Sequence, residues 1–66
     1  MRLTVNGEIK EFAAEKTVVG LLDHLGIDSA TVVVEVNLEI LKRAEHPERI
    51  LAEGDSVEII RMVDGG

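Results

Sequence analysis

One segment of the chain, residues 17–26, has the apolar spacing of an α-helix, and it restricts the fold more than any other feature. Four apolar side chains recur at i, i+3, i+4 and i+7, which places them on one helical face. They are Val18, Leu21, Leu22 and Leu25. Thr17 can cap the start with its hydroxyl, and Gly26 can end the helix in the left-handed conformation. Gly20 costs about 1 kcal/mol relative to alanine, so this helix must depend on packing.

Most other apolar residues follow patterns typical of β-strands, either alternation or runs of β-branched side chains. The predicted strands cover residues 1–5, 8–12, 31–36, 39–42 and 56–63, and the predicted turns cover residues 6–7, 37–38 and 54–55. Residues 32–34 are all valine, and we expect them to be buried on both faces of the sheet. Residues 44–51 contain Pro47, which is acceptable at a first helical position. We expect them to cross the surface as a loop with one helical turn.

The first two strands are joined by Asn6-Gly7, the strongest short signal for a hairpin, because both residues tolerate a positive φ. A two-residue loop would place Lys10 beside Leu3 on the core face. A three-residue loop would instead pair Leu3 with Ile9 and leave the charged side chains of the hairpin outside. We expect the second register, since a slip of one residue moves every side chain to the other face.

The elements occur in the order hairpin, helix, strand pair, crossing loop and final strand. One helix on one mixed sheet is the smallest arrangement that covers a sheet face. The sequence therefore predicts an α+β fold, with a mixed sheet of four to five strands packed on one main helix and the last strand parallel beside the first. Phe12 is the only aromatic among 66 residues. We expect a single domain, residues 1–66, with an aliphatic core and a flexible C-terminal tail, residues 64–66.

Charge and composition exclude several classes of function. Thirteen acidic residues against seven basic ones give a formal net charge of −6, and such a surface repels nucleic acid and anionic lipid. A basic patch on a partner protein would complement it, although a solvated acidic surface is the commoner meaning. Cysteine is absent, which excludes disulfides and thiol nucleophiles. No apolar stretch approaches the roughly 20 residues of a membrane span, and no signal peptide is recognisable, so we expect a cytoplasmic protein.

Side chains suited to catalysis or metal binding are few. His24 and His46 are the only histidines, and because they lie on different elements we expect both to be solvated surface residues. Carboxylate pairs such as Glu35 with Glu39 show no sign of the dry pocket that would tune a general acid. We therefore expect no metal site, no stably bound cofactor and no enzymatic activity of the chain by itself.

The terminus offers a reactive group of another kind. The chain ends on Gly65 and Gly66, an ending that chance produces in roughly one chain in two hundred. A frayed end is the simplest meaning, but here residues 56–63 form a strong strand that aims the tail away from the body. Two residues without Cβ can extend through a channel too narrow for others. The terminal carboxylate could then be activated in a partner's ATP site as an acyl-adenylate.

Several short segments, weak individually, occur together in an order and spacing that is fairly specific. They are residues 5–8, 17–18, 21–26, 34–37, 39–40, 53–55, 57–60 and 65–66, together with Arg43. With these segments the whole chain resembles the ThiS-type sulfur carriers of thiamine biosynthesis, which are related to the MoaD-type carriers of molybdopterin synthesis and to ubiquitin-like proteins. The resemblance implies a β-grasp fold.

The resemblance also implies a reaction cycle carried out by partners. A ThiF- or MoeB-like adenylyltransferase would use ATP and Mg to adenylate Gly66, and sulfur from a cysteine desulfurase or another donor would convert it to a thiocarboxylate. Thiazole synthase, ThiG, would accept the sulfur. Gly65 would let the terminus enter the partner. The residues implied to dock the tail are Arg61, Met62 and Val63.

The chain departs from the family pattern at four positions, which leaves the partner open. Leu38 follows the turn asparagine where glycine is frequent, and Gly20 replaces an acidic helix residue. Asp64 takes the place of a small residue, where it could tune partner choice, and Met62 that of an aromatic. A MoaD-like carrier, a carrier for another sulfur pathway, a ubiquitin-like protein modifier and a plain interaction module remain as alternatives.

Overall fold

The structure is a computed structural model that describes residues 1–13 and 16–62. The strands and the α-helix found there are β1 (Arg2–Val5), β2 (Glu8–Glu11), α1 (Val18–His24), β3 (Val32–Val36), β4 (Glu39–Leu41) and β5 (Ser56–Arg61). Two 3₁₀ segments complete the fold, the Ser29 turn (Ser29–Thr31) and the Arg43 turn (Arg43–Glu45). The sheet order is β2-β1-β5-β3-β4. The predicted α+β architecture, a five-stranded mixed sheet on one helix, is confirmed.

β5 lies at the centre of the sheet and has neighbours of both orientations. It pairs parallel to β1, where Val57 lies beside Val5, and antiparallel to β3, where Val57 lies beside Val36. Parallel neighbours require a long crossover connection, and here α1 and the β3-β4 hairpin supply it. The prediction that the last strand runs parallel beside the first is confirmed.

The helix begins and ends at the predicted residues. The Oγ1 atom of Thr17 accepts the N–H of Gly20 at 3.0 Å. Gly26 has a φ of +73°, and the next N–H, that of Ile27, donates to the carbonyl of Leu22 at 2.8 Å. This pattern is a Schellman motif, which satisfies carbonyl groups that the helix leaves without partners. The seven-residue helix is too short to be stable by itself, so its buried face holds it in place.

The core lies between that helix face and the side of the sheet that α1 covers. Three helix residues are buried, namely Val18, Leu21 and Leu22. The buried apolar residues from the rest of the described chain are Leu3, Val5, Phe12, Val32, Val34, Val36, Leu41, Leu51 and Val57. The core is aliphatic apart from Phe12, as expected.

The expected register of the first hairpin is wrong. Asn6 and Gly7 have φ values of +49° and +82°, which makes them the two central residues of a tight hairpin turn. Leu3 consequently pairs with Lys10, and Ile9 is 69% exposed on the other face. The expectation gave Ile9 a place in the core, but β2 is an edge strand with all four residues exposed, so the turn geometry decides the register.

The expected burial of residues 32–34 on both faces of the sheet is also wrong. Val32 and Val34 are buried, but Val33 between them is only half-buried. The reason is that the described part of the chain has a single α-helix, which covers one face of the sheet. None of the described helices is both long enough and apolar enough to span a membrane.

The segment that follows β4 contains one helical turn, the Arg43 turn, which ends before Pro47 instead of beginning there as expected, and the segment then returns to the start of α1. The carbonyl of Arg49 accepts the N–H of Val18 at 2.9 Å, and the N–H of Leu51 donates to the carbonyl of Lys16 at 2.8 Å. This segment therefore satisfies backbone groups at the helix N-terminus that have no partner within the helix.

Candidate functional site

The described part of the predicted tail-docking segment is the end of β5. Arg61 is its last residue and pairs with Val32 of β3. One residue further, the N–H of Met62 donates to the carbonyl of Thr31 at 3.0 Å, so the hydrogen bonding of the sheet continues to Met62. The side chains of Arg61 and Met62 are both exposed at this end of the sheet. Outside the described residues lie the other predicted site residues, Val63, Asp64, Gly65 and Gly66.

Several exposed apolar side chains lie on the sheet face opposite α1, which we call the outer face. Ile60 of β5 lies beside Val33 of β3 and is 47% exposed, while Ile40 of β4 is 67% exposed. Sequence reasoning missed this surface. The signal was present, because adjacent apolar residues within a strand, such as Ile40 and Leu41, must point to opposite faces.

Two carboxylates lie opposite each other in the middle of the outer face. Glu35 of β3 pairs directly with Glu58 of β5, and Ile40 lies on the other side of Glu35. Like charges that face each other across two strands are destabilising. Neither carboxylate forms an ion pair with another residue of the described ranges. A cation set in apolar surroundings on a partner protein would complement this arrangement.

The two histidines occupy very different environments. His24 is exposed and its ring meets the ring of Phe12 edge-on, with the centroids 5.4 Å apart. The expectation that His46 is solvated is wrong, since it is only 1% exposed. Sequence gave no local signal for this, because burial depends on how the Arg43 turn docks on α1. No group of three potential metal ligands occurs within residues 1–13 and 16–62.

The His46 ring makes one hydrogen bond and leaves one nitrogen without a partner. Its Nδ1 lies 2.6 Å from the Oγ of Ser29, whereas Nε2 is buried and has no partner among the described residues. Burial lowers the pKa of His46 below its ordinary value of 6.5, and the Arg43 guanidinium lowers it further, while the Glu45 carboxylate opposes the shift. The ring is therefore neutral near pH 7.

Comparison with known proteins identifies the family. The ThiS family model matches residues 3–66. The sulfur carrier protein ThiS of Thermus thermophilus is 34% identical over 62 residues, which cover 94% of this chain and 95% of the relative. In the crystal structure of the thiamine biosynthesis protein ThiS from Geobacter metallireducens, the fold matches with a TM-score of 0.87 at 35% identity, over all of both chains.

A longer relative extends the comparison. A thiazole synthase of Paramagnetospirillum magneticum is 42% identical over all 66 residues of this chain. The chain spans only 20% of the length of this relative, about a fifth of it. The family model covers nearly the whole chain and the solved structure matches throughout, so the fold is a β-grasp and the chain belongs to the ThiS family.

Proposed function

We propose that this chain is a sulfur carrier of thiamine biosynthesis and that the carboxylate of Gly66 is its working group. The observation that carries the proposal is the extent of the family match, residues 3–66, which includes both terminal glycines. A relative of nearly the same length, a sulfur carrier protein ThiS, supports it. The cytoplasm remains the expected compartment.

The proposed chemistry activates a carboxylate that is otherwise unreactive. A ThiF- or MoeB-like adenylyltransferase, using ATP and Mg²⁺, would join the Gly66 carboxylate to AMP and release pyrophosphate. Free sulfide, or the persulfide of a cysteine desulfurase followed by reduction with a thiol, would then attack the Gly66 carbonyl carbon and displace AMP, and the carbon–sulfur bond that forms leaves a thiocarboxylate. In this scheme the chain supplies the substrate group, and the partners supply the catalytic groups.

A thiazole synthase is the acceptor that the comparisons support. Two thiazole synthases resemble this chain along all 66 of its residues, at 42% and 33% identity, within a fifth of their own length. Segments similar to this chain therefore occur in the same polypeptide as a thiazole synthase. A carrier that is a separate protein would have to bind the thiazole synthase in order to hand its sulfur to that enzyme.

The outer face and the end of β5 are the surfaces that we expect the activating partner to contact. Ile60 and Met62 are both exposed. Arg61, the last residue of β5, lies between them in sequence, and the tail follows Met62. An apolar surface that leads to the tail would hold the body of the carrier while the terminus enters the partner's ATP site. Asp64, which replaces a small residue, would influence the choice of partner.

Intact-mass spectrometry tests the proposed function. The chain is incubated with ATP, Mg²⁺, a ThiF-type adenylyltransferase and a sulfide source. Replacement of one oxygen by sulfur adds about 16 mass units, and fragmentation should place the gain on Gly66. A chain that lacks Gly66 should show no gain and should melt at the same temperature as the full chain.

A different result would change the assignment. If the adenylyltransferase is active on its own carrier but leaves this chain at its original mass, the thiamine-carrier proposal is wrong. A mass corresponding to this chain joined to a lysine of another protein would instead support a protein modifier.

A further inference from the structure

The only polar or charged residue that is buried within residues 1–13 and 16–62 is His46, at 1% exposed. Whichever tautomer the neutral ring adopts, one nitrogen pairs with the Oγ of Ser29 and the other has no partner among those residues. A buried polar atom without a partner is unfavourable. An apolar side chain would avoid that penalty, so filling space does not account for a histidine at this position.

The ring lies where three parts of the molecule meet. Through its own carbonyl, His46 accepts the N–H of Val19 at 2.9 Å, which joins the Arg43 turn to the start of α1. Through its ring, it holds Ser29 of the Ser29 turn. The last residue of that turn is Thr31, whose carbonyl accepts the N–H of Met62. A chain of contacts therefore runs from the ring to the residue that follows β5.

The charges around the ring do not favour its protonation. Arg43 and Glu45, from the ring's own segment, act in opposite directions, and burial lowers the pKa before either is considered. From the Ser29 turn the group that meets the ring is a neutral hydroxyl, and the nearby Asp28 carboxylate already accepts the N–H of Ala30 at 2.9 Å. From α1 the backbone N–H of Val19, at the positive end of the helix, bonds the carbonyl of His46 and not its ring.

We propose that neutral His46 is a positioning residue for the end of β5, and that protonation of its ring releases this end. In the neutral state the bond to Ser29 holds the Ser29 turn, and Thr31 of that turn holds Met62. In the protonated ring both nitrogens carry a hydrogen, so Nε2 would be a charged donor without an acceptor among residues 1–13 and 16–62. The ring would therefore move toward water, and the Ser29 turn would lose its contact. The proposal concerns contacts within this chain and does not rest on the proposed function.

The direction of the pH effect follows from the lowered pKa. The buried ring, bonded to Ser29, binds a proton less readily than a ring that has moved into water. The contact with Ser29 is therefore fully present above pH 6.5, the ordinary pKa of histidine. It is lost as the pH falls through 6.5 toward the lower pKa of the buried ring. Acidification should therefore loosen Met62, and alkaline conditions should not.

Amide hydrogen exchange of the isolated chain, followed by NMR, tests the proposal without any partner. After correction for intrinsic exchange rates, the protection of the Met62 amide should fall about tenfold between about pH 7.5 and 5. The midpoint should coincide with the titration of the His46 ring in the same sample. The amide of Asn6, bonded to the carbonyl of Val57 near the start of β5, is the control at the opposite end of the strand and should stay protected.

Three variants sharpen the test. His46→Phe should remove the pH dependence at Met62, whereas His24→Gln, at the exposed histidine, should leave it as in the wild type. Ser29→Ala keeps the ring and removes its partner, so it should lower Met62 protection already at pH 7.5 by about tenfold. The proposal is overturned if Met62 protection does not follow the His46 titration, or if Asn6 loses protection in parallel. Failure here would leave the mass-spectrometric test of the carrier function unaffected.

Discussion

The two faces of the sheet both carry large aliphatic side chains but differ in how far these are exposed. On the covered face, Leu3, Val34 and Val57 are fully buried against α1. On the outer face, Ile9, Ile40 and Ile60 are 47–69% exposed. Apolar composition therefore does not distinguish a residue that stabilises this fold from one that is available to a partner. The position of the single described helix makes that distinction.

The largest expected difference between the faces is in stability. Leu22→Ala, in the part of α1 that packs on the covered face, should lower the free energy of unfolding by about 2–5 kcal/mol, because it leaves a cavity in a small core. Ile40→Ala on the outer face is the matched control and should change it by no more than about 0.5 kcal/mol. Urea denaturation measures both. Equal losses in the two variants would show that the outer face contributes to the core.

A smaller change in stability is expected at Leu38, an exposed apolar residue in the turn between β3 and β4. Leu38 is 89% exposed and has a φ of +71°, a conformation that a side chain with a Cβ adopts at a cost. Leu38→Gly should raise the free energy of unfolding by about 1 kcal/mol. Leu38→Ala keeps the Cβ and should give no such gain. If both variants are equally stabilised in urea denaturation, removal of the exposed leucine side chain is the cause, and backbone strain is not.

The smallest expected effect concerns the carboxylates of the outer face. Glu58→Gln removes the repulsion with Glu35 and should stabilise the free chain by about 0.2–1 kcal/mol. It should at the same time weaken binding to the adenylyltransferase, and this loss should shrink as salt concentration rises. Glu48→Gln, at another exposed acid, makes the same change in net charge. Calorimetric titration that finds the two variants equally weakened would assign the effect to net charge rather than to the outer face.

The sequence predicted the elements of the fold better than their contacts. The helix could be predicted because Thr17 and Gly26 mark its ends and the apolar spacing between them is unambiguous. The register of the first hairpin could not, because both loop lengths are compatible with Asn6-Gly7 and the choice depends on the φ values of both residues. Whether one or both faces of β3 are buried depends on how many helices lie on the sheet, which the pattern of β3 itself does not show.

The candidate site was predicted in the same uneven way. The end of β5 was expected to dock the tail because the final strand and the terminal glycines are continuous in sequence, and this role of Arg61 and Met62 stays a prediction. The outer face was missed although the adjacent apolar residues Ile40 and Leu41 signalled it. The burial of His46 was missed because it depends on contacts between segments that are distant in sequence. The roles of Val63, Asp64, Gly65 and Gly66 stay predictions, since these residues lie outside the described ranges.

The central position of β5 also has a mechanical consequence. A pull at Met62 along the strand axis would load the hydrogen bonds to β3, paired over five residues, and those to β1 at the same time. These bonds lie across the direction of pulling, so they would have to shear together rather than open one after another. The end of β5 would thus resist a pulling force from a partner protein, because the force would be distributed over the three central strands of the sheet.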